Sequence, residues 1–356
     1  MNLQPLKIGN LKAKLPIVQG GMGVGVSLSN LAGTVAFNEG FGVISAAQIG
    51  FKEKDFRQNV LGANLRALRY HIKEALKKAA GKGIIGVNIM WAANNYEELV
   101  KESIDSGAQA IISGAGLPVT LPKLCMDSDI KIIPIVSSDK AASVLLKLWD
   151  KKYNKTADAI VIEGPLAGGH LGFKENEIEE NIPTFHDEVK KILVTIKSYE
   201  EKYNKKIPAI VAGGIYDGKD IADAISLGAD AVQLATRFVT TDECDAHINF
   251  KKAYIQCKKE DVDIIKSPVG MPGRAIINDF IKKTNENKNK ICNCYRCLSH
   301  CNPATIPYCI TDALINAVEG NIDEGLIFAG SNAYKTDKII PVKELLQVLL
   351  KETSEI

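Results

Sequence analysis

The sequence predicts an α/β chain closed into a (β/α)8 TIM barrel, with a loop insertion after the second strand and a cysteine-rich C-terminal extension. Three observations predict it: a repeated unit, a count of eight short apolar runs, and glycine clusters where those runs end. The unit is a helical segment, a small-residue turn and an apolar run, and four copies align at 38–45, 106–113, 156–163 and 227–234. Each run is too short for a helix and too continuous for a half-exposed strand, which describes a parallel strand buried on both faces. Runs at 16–19, 84–89, 132–136 and 207–212 bring the count to eight, and eight alternating units point to a closed barrel. An open doubly wound sheet is the rival arrangement.

Helical patterns separate most of these runs. At 139–152 the apolar residues Val144, Leu145, Leu148 and Trp149 recur at helical spacing among lysines. The stretch 48–82 has mixed charge and a helical pattern at 63–80, and reads as a decorated loop. The barrel is expected to span 1–281. Residues 282–356 follow as a polar linker (282–290), a cysteine-rich segment and an amphipathic helix at 341–351.

Composition excludes several function classes. The 356 residues carry 44 basic and 42 acidic side chains with no extended basic block, which argues against a nucleic-acid partner. No apolar run approaches the roughly 20 residues of a membrane span, and no export signal opens the chain, so a cytosolic protein is expected. Its eight cysteines are then thiols or ligands rather than disulfides.

In a barrel of this kind chemistry gathers at the C-terminal ends of the strands, with phosphate held after strands seven and eight. The seventh run leads into Gly213 and Gly214, where backbone N–H groups can approach an anion closely. The eighth carries Gln233, Leu234, Ala235, Thr236 and Arg237, and together the two make a phosphate cradle. The sixth ends in Glu163 and leads to Gly168, Gly169 and His170, an imidazole held among glycines that can serve a substrate as proton donor or acceptor. The bland alternative, a solvated loop histidine, fits an isolated histidine better than one at a glycine-rich strand end. Gly20, Gly21 and Met22 after the first run can seat a flat ring, and the Asn88 amide on the third can donate and accept along its edge. The Gly-x-Gly pattern at 21–25 lacks the spacing and the ribose-binding acid of a dinucleotide fingerprint.

These residues resemble a known family. The set Gln19-Gly20-Gly21-Met22, Gly86-Val87-Asn88, Ser113-Gly114-Ala115-Gly116-Leu117-Pro118, Ala167-Gly168-Gly169-His170, Ala212-Gly213-Gly214-Ile215 and 228–238 is similar, in order, to the nitronate monooxygenases. That family was formerly called 2-nitropropane dioxygenase, and it includes flavin-dependent enoyl-acyl-carrier-protein reductases. The likeness runs over about residues 1–280. It implies a barrel holding non-covalent FMN. Asn88, Glu163, Gly168, Gly213, Gln233, Leu234, Ala235 and Thr236 then fall at FMN-contacting positions, bordered by Gly21, Met22, Gly169 and Gly214, and His170 matches the active-site histidine. Glu163 stands where nitronate-oxidising members often have glutamine, and Ala235 where glycine is common.

The resemblance leaves two activities open. One is oxidation of an alkyl nitronate with O2 to a carbonyl compound and nitrite, which is preferred. The other is NAD(P)H-dependent reduction of an enoyl thioester, kept in view by the segment Ser267-Pro268-Val269-Gly270-Met271-Pro272-Gly273-Arg274-Ala275, which resembles part of those reductases. A third reading comes from the tail, where Cys292, Cys294, Cys297 and Cys301 offer four thiolates for zinc or an iron–sulfur cluster in electron transfer, although the spacing matches no standard pattern. The expected partner is a small molecule, nitronate or enoyl thioester, with no nucleic acid or membrane. A homodimer stays open.

Overall fold

The computed structural model describes residues 1, 3–286, 291, 294–298 and 301–356, and at its centre eight parallel strands close into a barrel. Numbered along the chain, the barrel strands are β1 (Ile17–Gln19), β2 (Phe41–Ser45), β3 (Ile84–Met90), β4 (Ala110–Gly114), β5 (Lys131–Val136), β6 (Ile160–Glu163), β7 (Ala209–Ala212) and β8 (Ala231–Leu234). Each pairs with the next, and β8 closes on β1 through Val232 opposite Ile17 and Leu234 opposite Gln19.

The closure follows from strands that are apolar on both faces. Val18, Phe41, Val43, Ile84, Ile133 and Val161 point inward into one buried cluster. Their neighbours Ile17, Ile44, Ile85, Ile160 and Val232 point outward to the helices and join a second, larger one. The interior is sealed by an N-terminal hairpin, Leu6–Ile8 with Leu11–Ala13, whose Leu6, Ile8 and Ala13 enter the inner cluster. Its turn at Gly9 lies against Lys131 at the start of β5, so the plug sits at the N-terminal mouth. The C-terminal mouth is left for function.

Some expectations change in detail. The helix of the fifth unit runs Asp139–Tyr153, capped by the Ser138 hydroxyl accepting from Ala141 N at 3.2 Å. Its buried face is Ala142, Leu145, Leu146 and Trp149, whereas Val144 turns outward, 42% exposed. The stretch 48–82 is only partly loop: turns reach Asn59, and Val60–Ala79 is then a regular helix packed in the outer ring through Leu68 and Ile72. The polar run 282–290 begins inside a helix, Asp279–Glu286, rather than as a linker; 287–290 lie outside the described residues.

The C-terminal helix Val342–Ser354 packs on the helix Gly218–Ser226 and buries Leu345, Leu346 and Leu349 in the barrel's main core. The Glu352 carboxylate accepts from Gly218 N at 2.9 Å, and the Met1 amine donates to Thr353 O at 3.1 Å. Beyond the barrel, Gly169–His170, Val262–Lys266 and Pro272–Ile276 form a small antiparallel sheet above the open mouth.

Candidate active site

A cavity of about 290 Å³ opens at the C-terminal ends of the strands, a size and place suited to a small-molecule site. Its wall includes Gly21, Met22, Asn88, Glu163, Gly168, Gly169, His170, Gly213, Gly214, Gln233, Ala235 and Thr236. Leu234 and Arg237 are the exceptions among the anticipated rim residues, Arg237 stacking on the Tyr216 ring and donating from Nη1 to Tyr216 O at 3.2 Å instead of supplying a cation to the cavity. Side chains alternate along β8, so Gln233 faces the cavity while Leu234, 1% exposed, points into the core beneath the helices.

The turn after β1 is held by the buried Gln19 side chain, whose Nε2 donates to Val43 O at 3.2 Å and whose Oε1 accepts from Val43 N at 3.1 Å. Gly21 lies so close to Asn88 that any side chain there would collide with the Asn88 Cβ. The Asn88 amide donates to Ile112 O at 3.4 Å. These contacts give the cavity a floor of main chain and one amide.

His170 sits on the small sheet, paired with Gly273, and not on a free loop. Its Nε2 lies 2.7 Å from Ser267 Oγ, and its ring meets Phe328 edge-on at 4.9 Å. Ser267 is 2% exposed and fixed by a tight turn in which its N–H donates to Met271 O at 3.1 Å. The loop before His170 is clamped by Arg274, a buried guanidinium donating from Nη1 to Pro165 O at 2.6 Å and Ala167 O at 2.8 Å. Burial lowers the His170 pKa to about 4, so the imidazole is neutral across the physiological range. A neutral ring is a hydrogen-bond donor through one nitrogen and a weak base through the other.

Glu163 ends β6 and faces the same cavity, and burial raises its carboxyl to about 7. A carboxyl whose folded pKa lies above its usual 4.5 contributes stability below pH 4.5 that is lost as pH rises through 7. In the cofactor-free protein, Glu163→Gln is therefore expected to melt higher than wild type at pH 8, with the gap closing by pH 4.5. Thermal melts at the two pH values check this, and equal gaps at both would show that the carboxyl is not desolvated.

After β7, Gly213 and Gly214 both adopt φ of +89°, a left-handed conformation that favours glycine. Among the described residues no group accepts from the N–H of Gly213, Gly214 or Gly330. Facing them comes a segment that the sequence did not flag, Ala329, Gly330, Ser331 and Asn332, which lines the same cavity. It is tied down by Ser331 N donating to Leu166 O at 3.2 Å and Asn332 Nδ2 donating to Gly214 O at 2.7 Å. The Ser331 hydroxyl is buried with no hydrogen-bond partner among the described residues. An orphaned hydroxyl beside free backbone N–H groups has the donor set of a phosphate seat, so the residues present fit FMN's phosphate here. A Cβ on Gly330 would stand 2.7 Å from Thr236 Oγ1, so the space there depends on glycine.

The cysteine segment reaches this cavity through Cys297 and Leu298. Cys294 is exposed and Cys301 half-buried, and Cys292 lies outside the described residues. Among the described residues no three His, Cys, Asp or Glu side chains converge in a way that could hold a metal ion. The expected cluster is thus not assembled by Cys294, Cys297 and Cys301. Also among the described residues, no helix is long and apolar enough to cross a membrane.

A glycine-lined cavity at the C-terminal mouth of a closed (β/α)8 barrel, walled by backbone N–H groups and a hydroxyl that suit a phosphate and by a buried imidazole, is the architecture of a flavin-dependent oxidoreductase. Comparison with known proteins agrees. The family model described as nitronate monooxygenase matches residues 4–352, and the chain belongs to that family. A probable nitronate monooxygenase of Staphylococcus saprophyticus is 27% identical over 324 residues, 82% of this chain and 83% of that one. The structure of FabK from Thermotoga maritima superposes with a TM-score of 0.72 at 28% identity, covering 96% of this chain and 93% of the other. A nitroalkane oxidase from Streptomyces ansochromogenes shares the fold with a TM-score of 0.72 at 20% identity, over 96% of both chains.

Proposed function

We propose that the protein binds FMN and oxidises an alkyl nitronate with O2 to a carbonyl compound and nitrite. When bound, FMN supplies the electron-accepting and oxygen-reactive chemistry. Gly213, Gly214, Thr236, Gly330 and Ser331 would hold its phosphate, while Gly21, Asn88, Glu163 and Gln233 would border its ring. The observation that carries the substrate is His170, neutral, ordered by Ser267 and facing the cavity. A neutral imidazole N–H can hydrogen-bond an oxygen of a planar nitronate, placing the substrate without an ion pair. With a pKa near 4 the ring is a poor base for a carbon acid, which favours the preformed anion over the neutral nitroalkane.

A second reading, NAD(P)H-dependent reduction of an enoyl thioester, draws on one observation: the 267–275 segment that resembles those reductases is the one that brings the Ser267 hydroxyl to His170. Against it, among the described residues no lysine or arginine lines the cavity, so a dinucleotide's diphosphate would find no cation there. Anaerobic stopped-flow mixing separates the two. Loss of the oxidised flavin band on mixing with nitronate but not with NADH or NADPH is expected; rapid loss with either nicotinamide would reverse the assignment.

A further inference from the structure

We infer that the cysteine segment and the helix after it build an alkyl-chain pocket beside His170, so that the preferred substrate carries an unbranched chain of several carbons. For the chemistry of its polar head this rests on the nitronate reading above. The wall is made by Cys297, Leu298, Ile310, Leu314, Leu326 and Phe328, all of which line the cavity. Phe328 is also the residue whose edge meets the His170 ring, so this wall begins where the reacting end of the substrate is held. Thr311, which lines the cavity beside Ile310, turns its hydroxyl to the Cys297 thiol and leaves the surface apolar.

The pocket is preformed. Leu298 pairs with Ala93 in an antiparallel bridge, and Asn94 N donates to Cys297 O at 3.2 Å, which fastens the cysteine segment to the end of β3. Leu326 N donates to Ala313 O at 2.9 Å, and the Tyr254 hydroxyl donates to Phe328 O at 2.5 Å, which holds the opposite side. An apolar surface held open by its own backbone costs little ordering when a chain enters. A substrate of two carbons would leave it uncovered.

The test uses the FMN-loaded protein and straight-chain carboxylates from acetate to octanoate, planar two-oxygen anions that cannot be oxidised as nitronates are. Calorimetric titration should show affinity rising roughly fourfold with each added methylene beyond butanoate, until the pocket is full. Leu314 is only partly buried, and Leu314→Trp should fill the pocket, flattening that rise while leaving acetate binding unchanged. Affinity that is level from acetate to octanoate in the unmodified protein would overturn the inference, whether or not the tryptophan variant folds. Turnover separates this inference from the reading beneath it. If the rise holds but hexyl nitronate is not oxidised, the pocket stands and the nitronate assignment falls. If nitronates are oxidised with a KM indifferent to chain length, the assignment stands and the pocket falls.

Discussion

Replacing His170 by alanine is expected to lower kcat/KM for an alkyl nitronate about a hundredfold, the cost of one hydrogen bond to a charged group. The loss should appear with FMN still bound, because the backbone groups of Gly213, Gly214 and Gly330 that would hold its phosphate are untouched by the substitution. The pH profile makes the prediction specific. Since burial holds the His170 pKa near 4, the ring stays neutral until acid pH, and kcat/KM should show no limb near the usual 6.5. A base would behave differently: wild type would turn over neutral nitroalkanes, and the alanine variant would lose that activity by about 10²–10⁴ while keeping nitronate oxidation. Rates on both substrate forms therefore decide whether the imidazole positions an anion or removes a proton. Ser267→Ala should fall between wild type and the alanine variant, since it frees the ring without removing it.

The barrel was legible because its physics is local. A parallel strand buried on both faces must be a short continuous apolar run, and a strand that ends at a ligand must end in small residues, so β2, β4, β6 and β8 declare themselves. The rim was legible for the same reason, since closure brings all C-terminal strand ends to one mouth. Alternation along a strand decides which of its residues reach that mouth. The four consecutive residues Gln233 to Thr236 are all expected at the ligand, yet alternation along β8 sends Leu234 the other way. Val144 shares the helical spacing of Leu145 and Trp149, yet Ala142 and Leu146 complete the buried face. What stayed hidden depends on distant register. Nothing near Gly169 indicates that it pairs with Arg274, so neither the guanidinium clamp nor the ordering of His170 by Ser267 could be read. The segment at 329–332 did carry a signal, an apolar run followed by Gly330, Ser331 and Asn332, the same signature as the barrel strands. It lies beyond the eighth strand, outside the repeat that marks the barrel.

That segment supplies the second large effect. Gly168→Val is expected to yield protein without FMN and with a lowered Tm, because a Cβ at Gly168 would stand 2.5 Å from main-chain atoms of Ala329 and Gly330. Main chain cannot swing aside as a flexible side chain can, so the two walls of the phosphate end must part. Loss of cofactor through a distorted backbone does not by itself show what the seat binds, and Ser331→Ala supplies that distinction. Its hydroxyl is buried without a partner, so removing it should leave the cofactor-free Tm unchanged or raise it, relieving a desolvated group that costs about 1–3 kcal/mol. If the hydroxyl donates to a phosphate, the same change should weaken FMN binding about tenfold or more, measured by fluorescence quenching on reconstitution. A stability change and an affinity change of opposite sign from one atom are hard to obtain from packing. An unchanged FMN affinity in Ser331→Ala would mean that the orphaned hydroxyl serves something other than the flavin phosphate, and the orientation of the cofactor in the cavity would have to be reversed.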